Sequence, residues 1–423
     1  MISLYSHWLI NYYLRIWKKS IIFNKIILYR YTQQFSIFPV ELINLINIYY
    51  IYYKIEDKSV MIACGNNHTL AVIDDIIYSC GNNEFGQLGL ENDIKELNKF
   101  TPLKTFPPLF IKSISCGESH SIVLTKDIIW SCGENFHGQL GLGDNAHRYC
   151  FTSNKIIPTP KKVFCAESST FVLTENSLLC CGYNKFGQLG LDTDKNYSTF
   201  VPTLTFIDAS KIILVAPGPR HTIVLTTQGL WGSGSNFDNQ LGIPEVKGSY
   251  KFIENKLVSN GISVACGSQH SLLLTKDGLF GCGNNYGYQL GDKDRKYIRT
   301  FTKIKFFEDL ESNILSITCG YTYSMVLTTY GLWASGKFRT ESIKYHDSLY
   351  GFTPIDLSYL NPGPENNIIK LINGYQHNFL ITNDYIFSSG SNSSGELGQG
   401  YKDSDLVGFK TTKRKFRPIT FDK

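Results

Sequence analysis

A pair of glycines separated by 16 residues recurs through this chain at a nearly constant interval. Gly65 and Gly81, Gly117 and Gly133, Gly218 and Gly234, Gly267 and Gly283, Gly320 and Gly336, and Gly374 and Gly390 keep that separation. Ala166 with Gly182 makes a seventh copy, and successive second glycines step by 52, 49, 52, 49, 53 and 54 residues. A period on this scale marks a solenoid, a propeller or an array, in which each unit buries its apolar face only on a neighbour. That restricts the architecture before any other residue is considered.

Within the 16-residue window the order is tight. A strand-like run ends in Cys-Gly, two polar residues follow, and then usually His, as in Cys64-Gly65-Asn66-Asn67-His68 and Cys266-Gly267-Ser268-Gln269-His270. An apolar run leads to a short turn such as Lys276-Asp277-Gly278, and a second apolar run returns. Two short β-prone runs around a turn predict a hairpin. Three residues before the second glycine the returning run carries a bulky side chain: Tyr78, Trp130, Leu179, Trp231, Phe280, Trp333 or Phe387. These side chains are expected to pack between neighbouring sheets.

A second signature follows the hairpin. Gln-Leu-Gly occurs at 87–89, 139–141, 188–190, 240–242 and 289–291, varies to Glu396-Leu397-Gly398, and is lost in the sixth unit. The fuller form, Cys80-Gly81-Asn82-Asn83-Glu84-Phe85-Gly86-Gln87-Leu88-Gly89-Leu90, resembles the repeats of the regulator of chromosome condensation family. The resemblance extends from about Ser59 to the C-terminus. It implies an all-β, seven-bladed β-propeller with four-stranded antiparallel blades. The chain enters its repeat halfway, at Val60, and leaves it halfway, after Phe421. The expected closure is therefore a blade shared between the N- and C-terminal strands, which would leave few open edges. The domain division read from the sequence is 1–57, a short helical, aromatic and basic segment that reads as an extension packed on the propeller, a targeting segment or part of an F-box, and 58–423, the propeller.

Residues 1–55 hold six basic residues, from Arg15 to Lys54, against the single Glu41, a balance of +5 that matches the net charge of the whole chain. The remainder is close to neutral and lacks the basic footprint that drives nucleic-acid affinity. The longest uncharged N-terminal run, Leu42 to Tyr53, is 12 residues, too short for a spanning helix of about 20. No strong nucleic-acid or membrane signal results.

Nine of the eleven cysteines precede a repeat glycine or Ala166, at positions that elsewhere hold Pro217, Ser233, Ser335, Asn373 or Ser389. Such positions are small-residue packing sites rather than metal ligands. The Cys–His pairs also fall in different units, so no tetrahedral zinc site is expected. Reduced thiols suit an intracellular protein, cytoplasmic or nuclear. His68, His120, His221, His270 and His377 recur like the glycines, with Ser169 and Tyr323 as counterparts. A catalytic residue is needed once, so recurrence points to a structural duty: bridging backbone groups between blades through imidazole's donor and acceptor. No catalytic residue, cofactor or metal is expected.

Phe38-Pro39-Val40-Glu41-Leu42-Ile43-Asn44-Leu45-Ile46 resembles the opening of an F-box. Pro39 suits a first helical turn, and Phe38, Leu42, Ile43 and Ile46 would supply the apolar contacts with a Skp-type linker. The functional expectation is a non-catalytic protein-interaction scaffold, with substrate recruitment to a cullin ubiquitin ligase as its sharpest form. The family resemblance also implies an alternative, guanine-nucleotide exchange on a Ran-like small GTPase. In the family's founding member that activity resides in a wedge projecting from one blade. Here the units show no plain insertion, apart from the divergent stretch 337–367 that carries Asn361-Pro362-Gly363-Pro364.

Overall fold

The computed structural model describes residues 60–402, except 91–93, 155–156, 158, 204–207, 259, 309–313, 338–348, 356, 358–367 and 383–385, together with 417–418. The chain divides into two units, 1–58 and 59–423, and the description below concerns the second. The segment expected to be helical, with its F-box-like residues, lies outside the described residues.

Seven four-stranded antiparallel sheets follow one another along the chain. Blade 1 contains β1 (Met61–Cys64), β2 (His68–Ile73), β3 (Ile76–Asn82) and β4 (Glu96–Pro102). Blades 2 to 6 span 113–153, 160–202, 212–255, 261–303 and 314–354. Blade 7 takes three strands from 368–390 and its fourth, Arg417–Pro418, from the C-terminal region. The inner strand of each blade touches that of the next, and the last touches the first, so the sheets stand around a common axis.

The hairpin register accounts for the 16-residue spacing. His68 pairs with Gly81 across β2 and β3, and the same pairing recurs in His120–Gly133, Ser169–Gly182, His221–Gly234, His270–Gly283, Tyr323–Gly336 and His377–Gly390. The turn between the two strands of blade 1 consists of Asp74 and Asp75, both at left-handed φ (51° and 61°). Two such residues match the twist of a tight hairpin, and Asp tolerates the conformation better than most.

Hydrophobic burial is divided among seven clusters, one at each blade–blade junction. Leu70, Val72 and Ile77 of blade 1 pack on Ile111, Cys116 and Val123 leading into and within blade 2. Ile62, Ala71, Tyr78 and Phe100 of blade 1 pack on Phe379 and Ile381 of blade 7. The bulky third-strand residues join these clusters as expected, but only Tyr78 and Phe387 are fully buried. Trp130, Leu179, Trp231, Phe280 and Trp333 are half-buried at the cluster edges.

Ring closure departs from the shared-blade expectation. Among the described residues the strands of each blade are consecutive in sequence, and no strand preceding β1 enters blade 7. The ends are joined by contacts between whole blades instead. His377 Nε2 and Thr69 Oγ1 lie 3.0 Å apart, Lys99 bridges Gln399, and Lys402 pairs with Glu96. A complete sheet already satisfies its internal backbone groups, so closure rests on side-chain pairs and on backbone bonds between blades, such as Tyr375 N to the Gly65 carbonyl, rather than on a borrowed strand.

Candidate partner-binding face

The histidines define the joints. His68 Nε2 lies 2.9 Å from Ser121 Oγ in the next blade, and Ser121 donates its proton to the Gln87 carbonyl at 2.7 Å. His120, Thr170 and Gln139 repeat this relay, as do His221 with Ser271 and His377 with Thr69. A hydroxyl has one proton, so its donation to the carbonyl assigns the Nε2–H tautomer to the histidine. The expectation of a bridge to backbone is corrected in one respect: the first partner is a side-chain hydroxyl, which passes the bond to the backbone. Tyr323 substitutes by donating to Asn378 Oδ1 at 2.7 Å. Burial holds His68, His120 and His221 down to about 3, and His270 and His377 to about 4.

The same rings explain the first glycine of each pair. A methyl group built at Gly65 would lie 2.2 Å from His68 Cε1, and one at Gly267 would lie 2.1 Å from His270 Cε1. Ala166 occurs in the blade whose histidine is replaced by Ser169, where no imidazole needs the space. All eleven cysteines are free. Several add a second donor to the relay carbonyl, Cys132 to Gln87 and Cys282 to Gln240, while Ser233 does the same for Gln188. This explains why Cys and Ser exchange at that position.

The turn after each inner strand and the loop after each third strand emerge at the same end of the propeller, here called the motif face. Its loops are built alike. A buried asparagine two residues after the second glycine accepts from the leucine N–H of Gln-Leu-Gly through Oδ1: Asn83 from Leu88, Asn135 from Leu140, Asn236 from Leu241. Its Nδ2 donates to carbonyls farther along the loop, as from Asn285 to Asp292 and Arg295. The glutamine side chain accepts from the N–H two residues earlier, and Glu396 performs the same task through Oε2. The motif glycine then receives a phenyl ring from the next blade's outer strand. A methyl group at Gly89 would lie 2.4 Å from Phe151, and one at Gly398 would lie 2.3 Å from Phe100.

On these clamped loops stand the aromatic residues that the structure adds to the sequence reading. Phe136, Phe237 and Tyr286 are 57%, 71% and 55% exposed. Phe85, Phe136 and His147 make edge contacts across blades 1 and 2, with Phe136 and His147 centroids 4.4 Å apart. His137, Tyr183 and Phe186 continue the arc into blade 3, and the Arg220 guanidinium lies over Phe186 at 4.9 Å.

Toward the axis, the inner turns hold one another by backbone hydrogen bonds. Asn66 N donates to Glu118 O, Glu118 N to Glu167 O, Ser268 N to Tyr321 O, and Tyr321 N to Tyr375 O. Pro219, at the equivalent place in blade 4, has no N–H to contribute. This girdle brings Glu118 and Glu167 within hydrogen-bonding reach of each other. Burial, reinforced by the Glu118 charge, pushes the Glu167 carboxyl up to about 7, while Arg220 opposes the shift. Burial also raises Glu118, and burial with the Glu118 charge raises Glu134. Tyr375 stacks on Tyr321 at 5.4 Å and has its phenol raised by burial and by both glutamates.

The repeat glycines named from the sequence thus form the hairpin and joint framework rather than a chemical site. Phe38, Pro39, Leu42, Ile43 and Ile46 lie outside the described residues. Sequence reasoning missed the loop asparagines and a phenylalanine repeat at 100, 151, 200, 252, 301 and 352, although both signals are present in the chain. It also missed the acidic pair, whose members are 49 residues apart. Among the described residues no group of three or more His, Cys, Asp or Glu is placed to hold a metal ion. No helix among them is long and apolar enough to cross a membrane.

Fold and face together define a seven-bladed propeller assembled from tandem repeats, with an organised loop surface at one end. Residues 52–326 match the RCC1-like domain, and the chain belongs to that family. It is 31% identical over 106 residues to the human X-linked retinitis pigmentosa GTPase regulator, covering 25% of this chain and 10% of that protein. Over 87 residues it is 42% identical to the human probable E3 ubiquitin-protein ligase HERC6, covering 20% of this chain and 8% of that protein. The chain thus spans about a tenth of the length of these curated relatives. Prp20p of Saccharomyces cerevisiae, whose structure was described with its binding to Gsp1p and histones, is similar in fold, with a TM-score of 0.65 and 20% identity. That match covers 86% of this chain and 89% of Prp20p.

Proposed function

We propose that the protein is a non-catalytic interaction scaffold that holds a protein partner on its motif face. The observation that carries this reading is the arc of exposed aromatic rings on loops already clamped by buried asparagines. Exposed apolar patches mark interaction sites, and aromatic residues supply much of the binding energy at interfaces. Rings that are already ordered lose little entropy on binding. The named relatives supply the context: a GTPase regulator, and a propeller studied with Gsp1p and histones.

Affinity purification from host cells tests this with three forms of the full-length chain. The combined variant Phe136→Ser, Phe237→Ser, Tyr286→Ser should lose the partner, while Phe110→Ser, Leu257→Ser, Tyr330→Ser on the opposite face should retain it. Retention by the first variant, with wild-type melting, would refute the assignment of the face.

Two sharper roles remain proposals. Ubiquitin-ligase recruitment through Phe38, Pro39, Leu42, Ile43 and Ile46 requires a Skp-type linker to co-purify with the full chain and not with a chain lacking 1–57. Nucleotide exchange is supported by similarity to a GTPase regulator and is tested by release of labelled GDP from a Ran-like GTPase.

A further inference from the structure

We propose that the motif face docks a basic segment of its partner, with one lysine or arginine side chain entering the axial mouth between Glu118, Glu167 and Tyr375. This deepens the scaffold reading and rests on it. Residues flanking that cation would lie along the aromatic arc.

Two independent features converge on this chemistry. The first is the arc itself, which joins Phe85, Phe136 and His147 across two blades and presents Phe237 and Tyr286 farther round. The face already holds cations against rings: Arg220 lies over Phe186, and Lys296 Nζ is 5.2 Å from the Tyr286 centroid. A partner's cation would make the same contact with an exposed ring, an attraction that strengthens as water is excluded.

The second feature is charge. Glu118 and Glu167 stand on adjacent inner turns, joined by the bond from Glu118 N to the Glu167 carbonyl at 2.8 Å, and both are half-buried, while Glu134 adds its field from the loop of blade 2. Their mutual repulsion is relieved by an ammonium or guanidinium group placed between them, whereas an acidic segment would add to it. A phosphate backbone meets the same repulsion, which favours a protein partner over nucleic acid. The backbone amides donated around the girdle are already engaged between blades. Recognition at the mouth therefore falls to the carboxylates and to Tyr375.

Fluorescence anisotropy with the full-length protein tests the inference, using a labelled arginine-rich peptide and a glutamate-rich peptide of equal length as probes. The arginine peptide should bind more tightly and weaken as salt is raised, since exposed charges are screened within a Debye length. Combining Glu118→Gln with Glu167→Gln should weaken it by about tenfold, a size typical of close charge pairs at interfaces. If that double variant does not fold, Glu134→Lys reports on the same field and should also weaken binding. Equal affinity for the two peptides, or undiminished binding by a correctly folded variant, would overturn the basic-segment inference. The scaffold reading would survive that result if the aromatic variants still lose the partner, so the two proposals fail separately.

Discussion

His377 in the last blade and Thr69 in the first share a hydrogen bond of 3.0 Å, and Thr69 passes its own proton to the Glu396 carbonyl at 2.8 Å. The relay that joins each histidine-bearing blade to its successor therefore also closes the ring. Thr69→Val keeps the shape and removes the hydroxyl, leaving the buried imidazole without its partner and the Glu396 carbonyl with only the weak Cys80 thiol donor. The expected cost is about 1–3 kcal/mol. Thr222→Val, in the blade that follows Ser169 and meets no histidine, leaves the Gln188 carbonyl with its second donor, Ser233, and should cost less. Urea unfolding of the two variants makes the comparison, and equal losses would exclude a role for the histidine.

Five histidines with depressed folded-state pKa values make stability pH-dependent. Each prefers to be neutral when buried, so its contribution is present above the unfolded value of 6.5 and lost as pH falls toward 3 to 4. The expected slope approaches roughly 1 kcal/mol per pH unit for each histidine between those limits. Acid unfolding should be steep, and His120→Gln should flatten it. Denaturant midpoints measured from pH 7 to pH 4 provide the check.

Glu167 acts with the opposite sign. Its folded pKa is raised to about 7 from 4.5, so its contribution is present below the unfolded value and lost as pH rises through 7. Glu167→Gln mimics the neutral form. The variant should melt higher than wild type at pH 8 and nearly equal to it at pH 5.

Gly267→Ala places a methyl group 2.1 Å from His270 Cε1 and 2.8 Å from the Gly320 carbonyl. It should destabilise by about 2–3 kcal/mol, the range for overpacking in a well-filled core. Adding His270→Ser reproduces the Ala166–Ser169 combination of blade 3 and should recover part of that loss. Additive losses in a double-mutant cycle would show that the imidazole is not what demands the glycine.

Removal of the residues after Lys410 deletes Arg417–Pro418, which pair with Phe387 and Ser388 of blade 7. Phe387 packs on Leu332 and Leu371 at the junction of blades 6 and 7, so the damage should spread beyond one strand. Calorimetry should show the whole transition moving down in temperature. A transition at the wild-type temperature would assign the strand no structural part.

The repeat number, the hairpins and the close strand approach that calls for glycine were legible in the chain, because they depend on separations within one unit. Gly81, for example, has φ of +104°, and a methyl group there would lie 2.3 Å from the Asn67 carbonyl. That constraint is local, and it recurs wherever the sequence repeats. The half-burial of Trp231 and Trp333 was less legible, because the hydrophobic period shows which way a residue points and not how far its neighbour extends over it.

By itself, then, the amino-acid order determined the fold family, the blade count and the positions that must be small. Tertiary structure alone decided which equivalent positions touch across a joint. It pairs His68 with Ser121 and Gly89 with Phe151, closes the ring through Thr69 rather than a shared strand, and sets Glu118 beside Glu167. The physical reason is that a repeat makes positions equivalent in every blade. Only ring closure, which sets the angle between neighbouring sheets, determines which side chains meet.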